Sequence, residues 1–544
     1  MDTIIAYADQ VNHTFVDYNS EFKDNREIFP TFCPIIEIHI SCQNLVNLDV
    51  GSKSDPFCVL FTMQNGKYIE TERTEVILSN QDPHFVKSFK TYFMYELNQP
   101  LRFEVYDSDS HRMGLSNHDF IGYYETDVRH LATNLDQSLT FELINDKKKG
   151  ERGQIIITPE QTKESIVHLQ GQIQVNNLPK MKTFAKNSPF YEICKVRKGK
   201  EIPIFRSNIR KKCFSCTYRK FIIPLHLLYT DGLDDTISIS FYDSRKKKEP
   251  KLIGQFSSSI GYFIQTTHQH FELKNGPQKK TAGEFWFNYC QVVNIPTFAN
   301  YLQSGLTLKM MTAIDYTESN GYQCHPNSNH YISKDQTWMN PYQRCIMTVG
   351  AVLSKFDKDQ KFPVYGFGGK IDHETNFCFP LTFDNNNPCV NGLQGIFDAY
   401  KASFEKVKLS SPTYFEKIIK TATQAAIQNF QKSKTYTVLL IITDGDVDDM
   451  QKTIDAIVEA SDAPLSVIII GVGNWGFKDM YKLDADEVEL VSSNGRIMKR
   501  DIVQFVPFRN IMNAGIGNME VEVLKELPLQ IHEYCSSHGF IPKV

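Results

Sequence analysis

The chain has 544 residues, of which 41% are hydrophobic and 22% charged, and its net charge is −4. This composition is typical of a soluble globular protein, and the length predicts three or four domains. The start, MDTIIAYADQVNHTF, has no basic stretch followed by an apolar one, and no apolar run approaches the roughly 20 residues of a membrane span. The 12 cysteines show no regular disulfide spacing. We therefore expect a cytoplasmic protein whose contact with membranes, if any, is peripheral.

The charge is distributed in blocks along the chain. Residues 31–160 carry 12 Lys and Arg against 19 Asp and Glu, residues 161–280 carry 22 against 9, and residues 281–544 carry 23 against 29. A basic block between two acidic ones indicates a middle domain suited to an anionic surface. With the strand and helix patterns below, we predict an unassigned extension at 1–33 and domains at 34–160, 161–280 and 281–544.

Residues 34–160 predict an all-β sandwich, because short β-prone runs alternate with turn residues. The predicted strands are IIEIHIS, DPFCVLF, RTEVIL, YFMYE, LRFEVYD and FIGYYET. This segment resembles a C2 domain in its sequence motifs L-D, K-S-D-P-F, V-Y-D-x-D and H-D-x-I-G.

The C2 resemblance implies a calcium site made by five aspartates, Asp49, Asp55, Asp107, Asp109 and Asp119. Clustered carboxylates repel one another by about 1 kcal/mol per pair in water, and a bound cation removes that repulsion. Flexible ligation by several oxygens favours Ca²⁺ over Mg²⁺. Nine residues separate Asp109 from Asp119, which is an insertion relative to most C2 domains. The alternative is that these are solvated loop aspartates, which are common in turns.

Residues 161–280 repeat the pattern and resemble a second C2 domain, with strands in IVHLQGQIQV, SPFYEICKV, CFSCTYRKFIIPL, TISISFYDS and KLIGQF. Of the five aspartates only Asp243 remains. Lys182, Ser188, Arg245 and Lys251 stand at the other four positions, so no Ca²⁺ is expected here.

The second segment instead predicts a fixed positive surface for anionic lipid. The candidate lipid-binding residues are Lys180, Lys182, Arg210, Lys211, Lys212, Arg245, Lys246, Lys247, Lys248 and Lys251. Each such cation near an anionic bilayer contributes about 1 kcal/mol. The alternative is a solvated basic face. No nucleic-acid-binding motif accompanies the charge, so no nucleic acid is expected as a partner.

In the third segment, two apolar runs end in carboxylates. Residues 306–314 lead into Asp315-Tyr316-Thr317-Glu318-Ser319, and residues 437–442 lead into Thr443-Asp444-Gly445. Such runs predict strands buried on both faces of a parallel sheet, where ligands bind at the carboxyl ends. Asp, Thr and Ser oxygens are the ligands that a hard divalent cation prefers. The alternative is that both aspartates are only helix N-caps.

This pairing resembles the metal-ion-dependent adhesion site (MIDAS) of von Willebrand factor A (vWA) domains. The resemblance implies that Asp315, Thr317, Ser319, Thr413 and Asp444 hold Mg²⁺ (or Mn²⁺), with one position open to a carboxylate of a protein partner. Alternating strands and helices in this segment predict a doubly wound α/β domain. The acidic residues Asp446 and Asp448 either alter the metal site or cap the following helix, and we favour the interpretation as helix caps.

Further sequence motifs narrow the resemblance to one protein family. The segments AIDYTESNG, FPVYGFGG, ITDGDVDDM, IIIGVGN, LDAD and RDIVQFVPFR together resemble a copine, in the right order and over about residues 34–540. Copines consist of two C2 domains followed by a copine-type vWA domain. The fold class expected is thus two all-β C2 sandwiches followed by a doubly wound, Rossmann-like α/β domain with a closing C-terminal helix.

The copine resemblance implies a calcium-dependent phospholipid-binding adaptor. It is expected to move to the cytosolic face of the plasma membrane or other membranes when Ca²⁺ rises, to bind anionic lipid such as phosphatidylserine or phosphoinositide, and to recruit protein partners through the vWA domain. Two alternatives stay open. One is a Ca²⁺-independent scaffold that uses the basic second C2 domain, and the other is an enzyme, for which the sequence offers no catalytic motif.

Overall fold

The computed structural model describes residues 33–48, 53–64, 66–109, 114–182, 186–229, 232–245, 248–275, 280–333, 339–473, 477–485, 489–509 and 522–542. The chain divides into two compact units, Met1–Ala299 and Asn300–Val544.

The first unit begins with an antiparallel β-sandwich. Its strands are β1 (Ile35–Gln43), β2 (Pro56–Gln64), β3 (Lys67–Arg73), β4 (Phe89–Tyr92), β5 (Pro100–Asp107), β6 (Asp119–Asp127), β7 (Leu139–Glu142) and β8 (Gln154–Gln161). They form two four-stranded sheets in the orders β4-β1-β8-β7 and β3-β2-β5-β6. Strand β1 alternates buried and partly exposed residues, as expected where one face of each strand packs into the sandwich.

A second sandwich follows in the same unit. Its strands are β9 (Val167–Asn176), β10 (Pro189–Arg197), β11 (Lys200–Arg206), β12 (Cys216–Pro224), β13 (Thr236–Arg245), β14 (Lys248–Ser259), β15 (Phe271–Asn275) and β16 (Lys280–Asn294). Their order, β12-β9-β16-β15 and β11-β10-β13-β14, repeats that of the first sandwich, and a single β14–β15 pairing joins the two halves. The core is rich in aromatic side chains, including Tyr191, Phe241 and Phe285.

Two predicted strands of the first sandwich are wrong. The segment RTEVIL is a loop, because the backbone N–H groups of Thr74, Ile77 and Asn80 donate to carbonyls in or next to β2 only at every third residue. A regular ladder would use alternate residues. The strand predicted in YFMYE lies earlier in the chain: β4 ends at Tyr92, where the prediction begins.

The second unit is built on a mostly parallel sheet. Its strands are β17 (Thr307–Asp315), β18 (Lys361–Phe367), β19 (Gly369–Ile371), β20 (Glu374–Asn376), β21 (Phe379–Pro380), β22 (Cys389–Asn391), β23 (Lys408–Leu409), β24 (Thr435–Thr443), β25 (Leu465–Gly471) and β26 (Val503–Pro507). The main sheet has the order β21-β18-β17-β24-β25-β26, with β21 antiparallel at the edge. Every residue of β24, β25 and β26 is buried, as predicted for strands covered on both faces.

Helices cover this sheet and cap the sandwiches. They are α1 (Val128–Ala132), α2 (Leu225–Leu228), α3 (Ile260–Gln265), α4 (Phe298–Gln303), α5 (Pro341–Leu353), α6 (Gly392–Ser403), α7 (Glu416–Ser433), α8 (Met450–Ala460), α9 (Lys478–Leu483) and α10 (Leu527–Ser537). The predicted closing helix is present as α10, which begins at Leu527 with Pro528 in its first turn, and residues 522–524 just before it are also helical. The predicted fold class, two all-β sandwiches followed by a doubly wound α/β domain, is confirmed. Within the described ranges, no helix is both long enough and apolar enough to cross a membrane.

Candidate metal sites

Strand ends bring acidic residues of the first sandwich together at one end of the sandwich. Asp107 ends β5 and pairs across the sheet with Asp119, the first residue of β6. The N–H of Asp55 donates to Oδ1 of Asp107 over 2.6 Å, and the N–H of Asp119 donates to Oδ2 of Asp109 over 2.8 Å. Four of the five predicted calcium ligands therefore lie at the same end of the sandwich. The fifth, Asp49, lies outside the described residues.

Asp107 has the environment of a cation ligand. It is only 1% exposed, and its Oδ2 finds no hydrogen-bond partner among the residues that the structure describes. A buried carboxylate oxygen without a partner costs free energy unless a donor or a cation reaches it. The all-oxygen donor set fits Ca²⁺. However, no group of three or more His, Cys, Asp or Glu side chains in the described ranges is arranged to hold a metal ion, so the calcium ligands stay a prediction.

The corresponding end of the second sandwich contains an ion pair. Nζ of Lys182 lies 3.1 Å from Oδ1 of Asp243, a residue that is fully buried, and donates to the carbonyl of Ser244 over 3.1 Å.

The other candidate lipid-binding residues of the second sandwich differ in exposure. Lys180, Lys211, Lys212 and Lys251 are exposed, whereas Arg210 and Arg245 are partly buried. Lys246 and Lys247 lie outside the described residues, as does the side chain of Lys248. The exposed lysines supply the solvent-facing charge that the sequence predicts, but lipid binding itself stays a prediction.

In the second unit, the two predicted carboxylates lie at the point where the direction of strand order reverses. Asp315 ends β17 and Asp444 follows β24, and these two parallel strands are neighbours. Strand β17 has β24 on one side and β18, the next parallel strand along the chain, on the other side. The crevice between β17 and β24 is therefore the topological switch point. Ligands of doubly wound folds bind there.

Hydrogen bonds connect the predicted MIDAS residues. Ser319 Oγ donates to Oδ1 of Asp444 over 2.6 Å and lies 3.0 Å from Oγ1 of Thr317. The N–H of Thr317 donates to Oδ1 of Asp315 over 2.8 Å. A hydroxyl that binds a cation through its oxygen keeps its proton, and here Asp444 is placed to accept a hydrogen bond from the hydroxyl of Ser319. This set of hydroxyl and carboxylate oxygens fits Mg²⁺ or Mn²⁺.

The loop that carries Thr413 is fixed beside these residues. The N–H of Glu318 donates to the carbonyl of Ser410, and Thr317 forms a parallel bridge with Ser410. Thr413 itself is buried, and its N–H donates to Oδ2 of Asp448 over 2.8 Å.

The interpretation of Asp446 and Asp448 as helix caps is wrong. Asp448 holds the N–H of Thr413, and Asp446 accepts a hydrogen bond from the N–H of Asp479. The N-cap position of α8 belongs to Asp449, whose carboxylate makes no cap hydrogen bond there and accepts instead from the N–H groups of Phe415 and Glu416 at the start of α7. Asp448 thus fixes the threonine loop next to the candidate metal site.

Burial raises the pKa of both central carboxylates. The pKa of Asp315 is raised mainly by loss of water, while hydrogen bonds from Thr317 and Thr443 oppose the shift. The pKa of Asp444 is raised to about 7, first by burial and then by the charge of Asp315. Two desolvated carboxylates of like charge favour a proton or a cation between them.

Sequence reasoning missed a group of side chains behind the site. His330 is fully buried, its Nε2–H donates to the carbonyl of Asp315 over 2.8 Å, and its Nδ1 accepts from the hydroxyl of Tyr400. Its ring stacks on Tyr342 with centroids 4.2 Å apart. Burial lowers the pKa of His330 to about 3, so the ring is neutral and fixes the end of β17.

Asn329 was also missed. Its Nδ2 lies 3.3 Å from both Oδ2 of Asp444 and Oδ1 of Asn320, and both atoms are acceptors, which fixes the amide orientation. The available sequence signal was the long segment between Ser319 and α5, which gives the chain room to fold back over the strand ends.

Comparison with protein families matches most of the chain. The model named Copine matches residues 328–543, and the C2 domain model matches residues 36–143 and 171–274. Among solved structures, the calcium-bound pair of C2 domains of Extended-Synaptotagmin 2 is 18% identical, covering 48% of this chain and 99% of that chain, with a TM-score of 0.24. A single C2 domain of plant Extended Synaptotagmin 1 is 21% identical, covering 24% and 97%, with a TM-score of 0.20. The second C2 domain of BON1 is 16% identical, covering 24% and 92%, with a TM-score of 0.22.

Proposed function

Because this chain is a copine, with two C2 domains followed by a copine domain, we propose that it is a calcium-dependent phospholipid-binding adaptor rather than an enzyme. The coarse class, a membrane-binding and calcium-related adaptor family, follows from the domains. The finer proposal is that the chain moves to anionic membranes when Ca²⁺ rises and recruits proteins through its vWA face.

The observation that carries the calcium part is the carboxylate of Asp107. It is buried at a strand end between Asp55 and Asp119, and one of its oxygens lacks a hydrogen bond among the described residues. Asp55, Asp107, Asp109 and Asp119, with Asp49, would hold Ca²⁺. Bound Ca²⁺ supplies the positive charge that lets this acidic loop end approach anionic headgroups.

Co-sedimentation with phosphatidylserine vesicles tests this proposal, with Ca²⁺ or with a chelator. We expect Ca²⁺-dependent pelleting of the full chain that Asp107→Asn abolishes. The matched control is Asp136→Asn, which removes the same charge from an exposed turn where the residue has a positive φ that asparagine also adopts. Pelleting that is unchanged by chelator and by Asp107→Asn would contradict the proposal.

The copine domain is proposed to hold Mg²⁺ or Mn²⁺ through Asp315, Thr317, Ser319, Thr413 and Asp444, and to offer it to a carboxylate of a protein partner. The hydroxyl-to-carboxylate hydrogen bonds at the switch point support this assignment. Titration calorimetry with Mn²⁺, in saturating Ca²⁺, should show one class of sites lost in Asp315→Asn. The exposed neighbour Asp446→Asn is the control and should keep that class.

A second candidate function is the Ca²⁺-independent scaffold. The exposed Lys180, Lys211, Lys212 and Lys251 favour it, because fixed charge attracts anionic lipid without a metal. In the vesicle experiment its signature is pelleting that resists chelator but is lost at high salt, and that falls further in the pair Lys211→Glu with Lys212→Glu.

A further inference from the structure

The loop ends of the two C2 domains share one backbone arrangement. In the first domain, the N–H of Asp55 donates to Oδ1 of Asp107 over 2.6 Å. In the second, the N–H of Ser188 donates to Oδ1 of Asp243 over 2.7 Å. In each case the residue that follows the N–H donor is a proline paired across the sheet with the aspartate. Asp107 and Asp243 are therefore equivalent positions of the repeat.

Both aspartates are buried, and in both the second carboxylate oxygen, Oδ2, has no hydrogen-bond partner among the described residues. The two sites differ in what lies next to the carboxylate. At Asp243, Nζ of Lys182 approaches Oδ1 to 3.1 Å and is anchored by the carbonyl of Ser244. Lys182 takes the sequence position that Asp49 has in the first repeat.

Burial makes a cation near Asp243 necessary. A carboxylate removed from water is stable as an anion only when a positive charge or several donors compensate the lost hydration. One backbone N–H supplies part of that compensation, and the Lys182 ammonium supplies the charge. The neighbouring Lys180 is exposed instead, so the ion pair is specific to Lys182 and is not a general property of the basic surface.

We propose that the ammonium of Lys182 is a tethered cation, which at the second loop end replaces the calcium ion proposed for the first. The second C2 domain is then fixed in its cation-bound charge state and does not respond to calcium. The comparison with calcium rests on the proposed function of the first domain, but the ion pair and its test do not. Lys182 is accordingly separate from the exposed lysines that face lipid.

A gain-of-site experiment on the full chain tests this proposal. Lys182→Asp with Ser188→Asp rebuilds, around Asp243, the counterparts of three aspartates of the first domain. Equilibrium dialysis with radioactive calcium should show about one more Ca²⁺ per chain than wild type. The control, Lys180→Asp with Ser188→Asp, makes the same change of charge and should gain none. An equal gain in the control, or no gain in a folded Lys182 variant, overturns the proposal.

A second measurement covers the case in which the double variant does not fold. Lys182→Met should lower the thermal unfolding midpoint of the second C2 domain, and adding Asp243→Asn should restore much of the loss, because the uncompensated charge is then gone. Lys180→Met should change little. If Lys182→Met leaves the midpoint unchanged, the tethered cation is refuted. A wild-type chain that binds no calcium, with a gain in the Lys182 variant, would refute the proposed function alone.

Discussion

Thr443 Oγ1 donates a hydrogen bond of 2.6 Å to Oδ2 of Asp315. This bond joins the last residue of β24 to the last residue of β17, so the two strands that border the switch point are fastened at the candidate metal site. With the N–H of Thr317 on Oδ1, both oxygens of a fully buried carboxylate have donors. The geometry of Asp315 is therefore set before any cation arrives.

Thr443→Val should destabilise the copine domain by about 1–3 kcal/mol, because it leaves a buried carboxylate oxygen without its donor. It should also weaken Mn²⁺ binding about tenfold, since residues that orient a metal ligand affect affinity. Thr443→Ser keeps the hydroxyl and should retain most of both properties. Hydrogen exchange of β17 and β24 in denaturant, with Mn²⁺ calorimetry, measures the two effects. Equal behaviour of the two variants would contradict this role.

Asn329→Ala should lower the affinity for Mn²⁺ by roughly 10- to 100-fold, because the amide that orients Oδ2 of Asp444 is lost. Asn327→Ala, at an exposed position of the same loop, should leave the affinity unchanged. Calorimetry on both variants decides the point. If both lose affinity equally, the loop as a whole is responsible and the Asn329 amide is not.

Arg500→Lys should destabilise the copine domain by roughly 3 kcal/mol. The buried guanidinium donates to the hydroxyl of Tyr436 and to the carbonyls of Gln530, Ala463 and Leu465, and an ammonium cannot reach this set. This network explains the arginine that opens the RDIVQFVPFR segment, since it fastens α10 to the sheet. Chemical denaturation monitored by exchange in α10 measures the loss, and exposed Arg496→Lys should show none.

The first C2 domain should lose stability as the pH rises from about 4.5 to about 7. Burial raises the pKa of Glu96 from 4.5 to about 7, so in this range the folded chain holds a proton that the unfolded chain has released. The free energy of unfolding then falls with pH, by about 3 kcal/mol at most. Glu96→Gln should flatten this dependence and raise the midpoint above pH 7. Thermal unfolding across this pH range measures the dependence. The control is Glu151→Gln, at an exposed position, which should keep the pH dependence of the wild type.

Three strands of the copine sheet were predictable because nearly all of their residues are buried. Strands β17, β24 and β25 are apolar runs, and their ends identify Asp315 and Asp444 directly. By contrast β3, KYIETER, is largely polar and was missed, while its apolar neighbour RTEVIL was mistaken for a strand. There the sheet edge, not hydrophobicity, decides which residues pair.

The environment of the sites was less predictable than their central residues. His330 and Asn329 act through contacts with residues up to 115 positions away, which no local pattern records. Likewise the alignment of the repeats places Lys182 at the position of Asp49, but both Lys182 and Lys180 were predicted to bind lipid, and only the folded loop shows that Lys182 is paired while Lys180 is exposed. Local periodicity specifies strands and their ends, whereas the pairing of side chains depends on how loops fold back.

The shared hydrogen bond from Asp55 to Asp107 and from Ser188 to Asp243 has a consequence for how such repeats diverge. An aspartate at this position has two roles, as a ligand of the proposed calcium ion and as an acceptor for the main chain, and its main-chain hydrogen bond is present in both domains. Asp55 and Asp109 also accept main-chain N–H groups in the first domain, from Ser79 and Asp119. When one copy of a duplicated domain is released from calcium, the main-chain role at this position remains. The single aspartate retained in the second repeat is the one that the folded backbone still requires, so its presence alone is no sign of a calcium sensor.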